Sequence, residues 1–162
     1  RLRVRPLVDG DQAALLQVYG DADAMRYVGD GQPLSAALCD EWVHVTARNR
    51  ATRGYGMNAV EHVLTGQVLG FCGLVHPGGQ VQAEVKYAFA RAHWGQGHAR
   101  EVVPALLHHG FVRHGLPEII ATVHPDHAVS ARVLHGAGLR RQPDRHNADG
   151  SVSQVWALQR PA

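Results

Sequence analysis

The stretch Tyr87-Ala-Phe-Ala-Arg-Ala-His-Trp-Gly-Gln-Gly-His-Ala99, running into Arg100–His114, constrains this chain more than any other. It reads as a strand, a tight glycine turn and a helix start. Gly95 and Gly97 carry no β-carbon, so the backbone can take φ > 0 and lie close to a ligand. The amides from Gly95 to Arg100 then open a helix, with unpaired N–H groups at the positive end of its dipole. Such a terminus can seat a phosphate. Turns use glycines for their own sake as well, so the rest of the chain has to decide between the two readings.

Leu2-Arg-Val-Arg5 alternates apolar and charged residues as a half-buried strand does. Pro6 and Asp9-Gly-Asp11 end it, and Asp9 or Asp11 is placed to cap the short helix holding Ala13, Leu16, Val18 and Tyr19, with Gly20 as its stop. Asp21–Val28 reads as a second short helical piece, and Gly29-Asp-Gly31 with Pro33 as a loop. Ser35 caps a longer helix through Trp42 to about Arg50, with Gly54 beyond it. Strands follow at Tyr55–His62, Val68–Val75 and Val81–Phe89, joined by turns at Thr65-Gly66 and Pro77-Gly-Gly79. These hairpins predict an antiparallel meander. After the glycine turn and its helix, stopped by Gly115 and Pro117, Ile119–Val123 is a short apolar, β-branched run suited to burial on both faces. A helix over His127–His135, a stop at Gly138, a strand from Leu139, a turn at Asn147-Ala-Asp-Gly150 and a last strand over Val152–Leu158 complete the chain. Linkers, repeats and low-complexity segments are absent, so residues 1–162 read as one α/β domain.

Composition excludes several function classes. A net charge of +2 is too small to argue for nucleic acid or a membrane surface. No apolar run approaches the ~20 residues that span a bilayer, and no signal-peptide pattern is present. The chain begins at Arg1, which suggests residues before it. Cys39 and Cys72 fit no metal or redox spacing, which suits a reducing cytoplasm, and Cys72 reads as a small core residue. Twelve histidines raise the question of a metal. There is no His-Glu-x-x-His, and His108 and His109 are adjacent on a helix and point apart, so no metal site is assigned and most histidines read as surface residues.

Taken together, the segments resemble the GNAT superfamily of acetyl-coenzyme A-dependent N-acetyltransferases, and within it the RimJ/RimL-like branch. The resemblance covers nearly the whole chain: Leu2-Arg-Val-Arg-Pro-Leu7, Tyr19–Asp30 with Met25-Arg-Tyr-Val-Gly29, Gly66-Gln-Val-Leu-Gly-Phe-Cys-Gly-Leu74 and Glu84-Val-Lys-Tyr-Ala-Phe-Ala90. Trp94-Gly-Gln-Gly-His-Ala99 and Ser130-Ala-Arg-Val-Leu-His-Gly-Ala-Gly-Leu139 are its most specific pieces. The resemblance implies a mixed, mostly antiparallel sheet flanked by helices and splayed between its fourth and fifth strands, here Val81–Phe89 and Ile119–Val123. It places the pantetheine arm against backbone near Phe89, Ala90 and Arg91. It places the pyrophosphate on the amides of Gly95, Gln96, Gly97, His98, Ala99 and Arg100, next to Trp94. Arg91 and Arg100 either add charge there or are ordinary solvated arginines.

The implied chemistry is acyl transfer from a thioester to a primary amine by direct attack in a ternary complex. The amine must lose a proton, and the thiolate must gain one. Glu84 is the candidate base, direct or through water. The alternative is a surface glutamate paired with Lys86, since strand alternation sets Glu84, Lys86 and Ala88 on one face. Ser130 matches the family serine that protonates the thiolate; otherwise it bonds its own helix backbone. Leu134 stands where many relatives carry a tyrosine for that task. His127 replaces an asparagine that touches the coenzyme, Ala92 replaces Gln or Arg, and Pro104 falls inside the helix after the loop. A protein N-terminus and a small amine are both open as acceptor, the protein as monomer or homodimer, and a coenzyme-binding sensor without turnover is the alternative function.

Overall fold

In the computed structural model, which describes residues 1–28 and 31–162, the alternating N-terminal residues form strand β1 (Leu2–Pro6). It pairs antiparallel with β2 (Met57–His62), setting Arg3 opposite Glu61 and Val4 opposite Val60. β2 pairs antiparallel with β3 (Val68–Val75) through the turn at Gly66, whose φ is 71°. β4 (Ala83–Phe89) and β5 (Glu118–Val123) run parallel, with Ala83 against Ile119 and Glu84 against Ile120. β7 (Val152–Gln159) lies antiparallel between β5 and β6 (Arg140–His146). The strand order β1-β2-β3-β4-β5-β7-β6 is therefore a seven-stranded mixed sheet, with the parallel pair where the splay was expected.

By its internal contacts the chain divides into two compact units, Arg1–Gly73 with Lys86–His98, and Leu74–Val85 with Ala99–Ala162. The first holds helices α1 (Gln12–Tyr19), α2 (Ala22–Met25) and α3 (Ala36–Arg53). Its core gathers Leu15, Val18, Cys39, Val60, Phe71 and Cys72, all at most 2% exposed. The Tyr19 ring lies 4.8 Å from Trp42 and 6.0 Å from Phe71. α3 starts as its sequence predicts: Ser35 Oγ accepts from the Leu38 amide at 3.2 Å, and Gly54 ends the helix at φ 84°. Close approach explains Gly70, where an added β-carbon would stand 2.4 Å from the Ala88 carbonyl oxygen and 2.5 Å from the Phe89 ring.

The second unit packs α4 (His98–Val112) and α5 (Ala128–Gly136) with β5. Ile119, Ile120 and Ala121 are consecutive and buried, as a strand covered on both faces requires. A β-carbon on Gly110 would press on Ile119 and Leu74 at 2.8 Å each. β6 is exposed along most of its length, and its register shifts between Gln142 and Arg145. That places Pro143 in an irregular edge strand, where a missing N–H costs least. No helix among the described residues is long and apolar enough to cross a membrane.

Several expectations need correction. Asp11 occupies the N-cap of α1, yet its side chain makes no cap bond. Its carboxylate instead accepts from the Val8 amide at 2.9 Å and from both ends of the Arg5 guanidinium at 2.9 and 3.0 Å. Gly20 follows α1 with a right-handed φ of −86°, and what requires glycine there is the Leu16 carbonyl, 2.4 Å from any added β-carbon. The strand expected from Tyr55 begins at Met57, and the one expected from Val81 begins at Ala83, Val81 being 93% exposed. His98 is buried at 5% exposure, and the helical piece expected over Asp21–Val28 is helix only at Ala22–Met25 with a turn after it, whereas Gly29 and Asp30 of the expected loop lie outside the described residues.

Arg5 links two acids. Its Nε donates to Glu61 Oε2 at 2.9 Å while Arg3 Nε donates to Oε1 at 2.6 Å. Arg5 and then Arg3 hold the Glu61 carboxyl below the ordinary range. Burial alone would raise Asp11, but the bonds from Arg5 and the Val8 amide outweigh it and lower it. A lowered carboxyl contributes stability that is complete above the unfolded value and lost as the pH falls through the folded one. Asp11→Asn should therefore lower the melting temperature by several degrees at pH 7, and the gap to wild type should close as the pH falls below about 4; thermal unfolding across pH checks this. Gly70→Ala should cost about 1–3 kcal/mol of unfolding free energy in urea titrations, because the added methyl has nowhere to go.

Candidate active site

The glycine loop is built as its sequence requires. After β4 the chain makes a single 3-10 turn over Arg91–His93, extends at Trp94 with φ −68° and ψ 153°, and enters α4 at His98. Gly95 and Gly97 have φ of 74° and 83°. Only glycine adopts such angles without strain. Nothing stands within 4 Å of a β-carbon placed on Gly95, so that position is selected by conformation alone. With Trp94 extended before them, the two left-handed glycines give the loop the kind of turn conformation in which backbone N–H groups can gather around an anion. Directly behind it lies the N-terminus of a 15-residue helix.

Side chains brace the loop from several directions. The Trp94 indole donates to the Phe89 carbonyl at 2.8 Å, folding the loop back on the end of β4. Gln96 Nε2 donates to the Ala92 carbonyl at 3.3 Å, and its Oε1 meets His98 Nε2 at 3.2 Å. The buried His98 ring lies 5.6 Å from Phe89 and 6.4 Å from His93. Thus Phe89 is bonded to Trp94 and Gln96 to His98, and the rings of Phe89 and His98 bring the two pairs together.

Two arginines behave unlike simple solvated charges. Arg91 Nε and Nη2 donate to Asp21 Oδ2 at 3.1 and 2.8 Å, and Nη1 donates to Asp23 Oδ2 at 2.8 Å. Its guanidinium thereby ties the turn after β4 to the start of α2, where Asp21 also caps the Asp23 amide at 2.8 Å. Arg1 was not anticipated. Its Nη2 donates to the Gln96 carbonyl at 2.6 Å across 95 residues of sequence and sits 3.4 Å from a β-carbon position on Gly97. Ala90 uses both backbone groups within its own unit, donating to Leu69 at 2.9 Å and accepting from His93 at 2.8 Å. A strand-like ligand would meet Ala90 only through the second lone pair of its carbonyl.

In the other unit Glu84 is 2% exposed and so is not a surface glutamate, whereas Lys86 is exposed. Thr122 Oγ1 donates to Glu84 Oε2 at 2.9 Å, and Gln80 Nε2 donates to Oε1 at 3.2 Å. Thr122 is the single polar residue in Ile119–Val123, a signal that sequence reading had available and passed over. Ser130 is buried at 8% exposure one turn before the fully buried Leu134, so the two share the inward face of α5. His127 is the N-cap of α5 without a side-chain cap bond. Burial first, and His124 second, lower its imidazole below the ordinary histidine value. Burial also pushes the Cys72 thiol up to about 12 and raises Cys39, which removes either as a thiolate nucleophile. Among the described residues no three His, Cys, Asp or Glu side chains are grouped to hold a metal.

Two outcomes follow from this geometry. Gly95→Ala and Gly97→Ala should each lower stability by about 1–2 kcal/mol in chemical denaturation, because alanine is strained at either positive φ. His127 should stay neutral at pH 7 and titrate below an ordinary histidine in NMR. Its stabilising share is present above the unfolded histidine value and fades as the pH falls through the lowered one.

The acetyltransferase (GNAT) domain family matches residues 1–140 of the chain. A Bacillus subtilis relative, the uncharacterized protein YkkB, is 34% identical over 142 residues, 86% of this chain and 81% of its own. The uncharacterized N-acetyltransferase p20 of Bacillus licheniformis is 31% identical over 164 residues, covering 96% and 90%. A GNAT-family acetyltransferase from Bacillus anthracis superposes with a TM-score of 0.84 at 22% identity, over 99% of this chain and 95% of the other. The yncA acetyltransferase of Salmonella typhimurium, solved with acetyl-CoA, superposes at 0.78 and 18% identity over 100% and 95%. RimL, described as a ribosomal L7/L12 alpha-N-protein acetyltransferase and solved with coenzyme A, superposes at 0.80 and 18% identity over 98% and 93%. With the glycine loop, the mixed sheet and these matches in agreement, the chain belongs to the GNAT family of acetyltransferases.

Proposed function

We propose that residues 1–162 work as one cytoplasmic N-acetyltransferase domain, passing an acetyl group from acetyl-CoA to a primary amine. The observation that carries this reading is the pair of positive-φ glycines opening α4, at 74° and 83°. A loop of that shape presents several amides to one anion without a dedicated lysine, which suits a pyrophosphate. In this reading the pyrophosphate rests on Gly95–Arg100. The pantetheine runs past Phe89, Ala90 and Arg91, with Trp94 and His127 as further contacts. Arg91 acts through its backbone, because its guanidinium is engaged by Asp21 and Asp23. Glu84 takes the proton of the attacking amine, directly or through water, and Ser130 returns one to the departing thiolate. No covalent enzyme intermediate is needed, and neither cysteine is disposed to form one.

The ordered motifs from Leu2 to Leu139 support placement in the RimJ/RimL-like branch. A protein N-terminus and a small amine both remain acceptors consistent with this chemistry. One observation favours a weaker, coenzyme-sensing role: Leu134, at the position of a frequent family tyrosine, is fully buried and carries no proton to give.

Calorimetric titration with acetyl-CoA, followed in the same solution by thiol release with N-terminal peptides, polyamines, amino acids and aminoglycosides, tests the proposal. Binding and amine-dependent release are expected. Binding with no release from any amine would favour the sensing role, and no binding would overturn the coenzyme seat. Glu84→Gln should lower kcat by about 10²–10³ and Ser130→Ala by about tenfold, both leaving acetyl-CoA affinity within about twofold of wild type.

A further inference from the structure

A terminal carboxylate torsion is broad and roughly two-fold, so the Glu84 backbone and rotamer do not by themselves aim its oxygens. Three side chains do. The parallel register sets Glu84 beside Ile120, and Thr122, two residues on, shares that face of β5. From there its hydroxyl reaches Oε2 at 2.9 Å. Gln80, in the loop before β4, reaches Oε1 at 3.2 Å. Arg145 Nη1 approaches Gln80 Oε1 at 3.4 Å, which turns the amide so that its NH2 end faces the carboxylate. Donors from two separate chain segments thus grip the two oxygens of one buried acid.

We infer that Thr122 and Gln80 form a clamp that positions the Glu84 carboxylate for proton transfer, with Arg145 setting the direction of the Gln80 amide. The inference rests on the reading of Glu84 as the base. A base abstracts a proton only when a lone pair lies within hydrogen-bond reach and aimed along it, and a misplacement of about 1 Å can cost on the order of 10²-fold. An ionised carboxylate has about four lone-pair sites, so being gripped by two donors is compatible with accepting a proton. Both donors here are neutral. They bind the acid through a hydroxyl and an amide, whereas Glu61 takes guanidinium donors from Arg3 and Arg5. Thr122 and Gln80 are positioning residues, since they act through Glu84.

The test is a double-mutant cycle. Thr122→Val keeps the shape of the side chain and removes the donor, and Thr122→Ser restores it. Each is made in the wild-type and the Glu84→Gln backgrounds. Activity is thiol release from acetyl-CoA with the fastest amine among N-terminal peptides, spermidine and aminoglycosides; thermal unfolding of the same proteins reports the bond independently. Thr122→Val should lower kcat about tenfold or more at unchanged KM for acetyl-CoA, and Thr122→Ser should recover most of it. In the Glu84→Gln background Thr122→Val should change kcat by less than about twofold. The melting temperature should fall further with Thr122→Val when Glu84 is present than when it is Gln. If Glu84→Gln itself stays within about threefold of wild type, or no amine releases thiol, the base reading falls and the clamp with it. If Glu84→Gln is crippled but Thr122→Val costs nothing, or costs the same in both backgrounds, the clamp is overturned and the base reading stands.

Discussion

Taking a carboxylate out of water is among the most unfavourable steps a folding chain can take, and this chain takes it repeatedly. Among the described residues Asp11 at 5% exposure, Glu61 at 5% and Glu84 at 2% are the buried acids. Two of them are answered by cations. Arg5 forks onto Asp11 and reaches Glu61, which Arg3 also meets, so one guanidinium fastens β1, the turn before α1 and β2 at a single point. Glu84 accepts from a hydroxyl and an amide. The guanidiniums hold Asp11 and Glu61 in the charged form.

The glycine loop meets the complementary requirement, that of holding positive potential without a bound counter-ion. Peptide N–H groups are partial charges that need no desolvated lysine, but they must point the same way. Gly95 and Gly97 supply the angles, and the surrounding bonds supply rigidity. Trp94 fastens one end to Phe89, Gln96 ties the middle to Ala92 and His98, and Arg1 holds the Gln96 carbonyl from outside. In a trans peptide the carbonyl and the following N–H point in opposite directions. Arg1 pulling on the Gln96 oxygen therefore directs the Gly97 N–H away from Arg1. The arginine contributes by orienting a neighbour's dipole as much as by its own charge.

Local grammar made most of this fold legible. Ser35, Gly54, Gly66 and Gly97 each mark a cap or turn whose geometry only a few residue types satisfy, and each stands where it was expected. The continuous Ile119–Val123 run announced a strand covered on both faces. The failures share a cause. Asp11 has the residue type of a cap and the position of a cap, yet a bidentate Arg5 outcompetes the backbone for its oxygens. The alternative of Glu84 as a surface glutamate beside Lys86 falls because Glu84 is buried while Lys86 is exposed, packing of a particular sheet rather than periodicity deciding burial at that point. Arg1 meeting Gln96 and Thr122 meeting Glu84 are long-range pairs, and a single sequence encodes no register between segments so far apart. The site residues were visible as types; their partners were not.

Pro104 shows how a local defect can be harmless to the site beside it. It lies inside α4, which nevertheless runs unbroken from His98 to Val112. Proline lacks the N–H that would reach back four residues, and here that acceptor is the carbonyl of Arg100. Carbonyls point toward the C-terminal end of a helix, whereas an anion at its N-terminus is held by N–H groups that point the other way. The bond Pro104 withholds thus belongs to the opposite polarity from the one the loop uses. The amides of Gly95–Arg100 were never to be satisfied within the helix in any case, being its opening groups. A proline one turn further on weakens the column behind the loop without taking a donor from it, so the cost falls on the stability of α4 and leaves the geometry at its mouth to the two glycines.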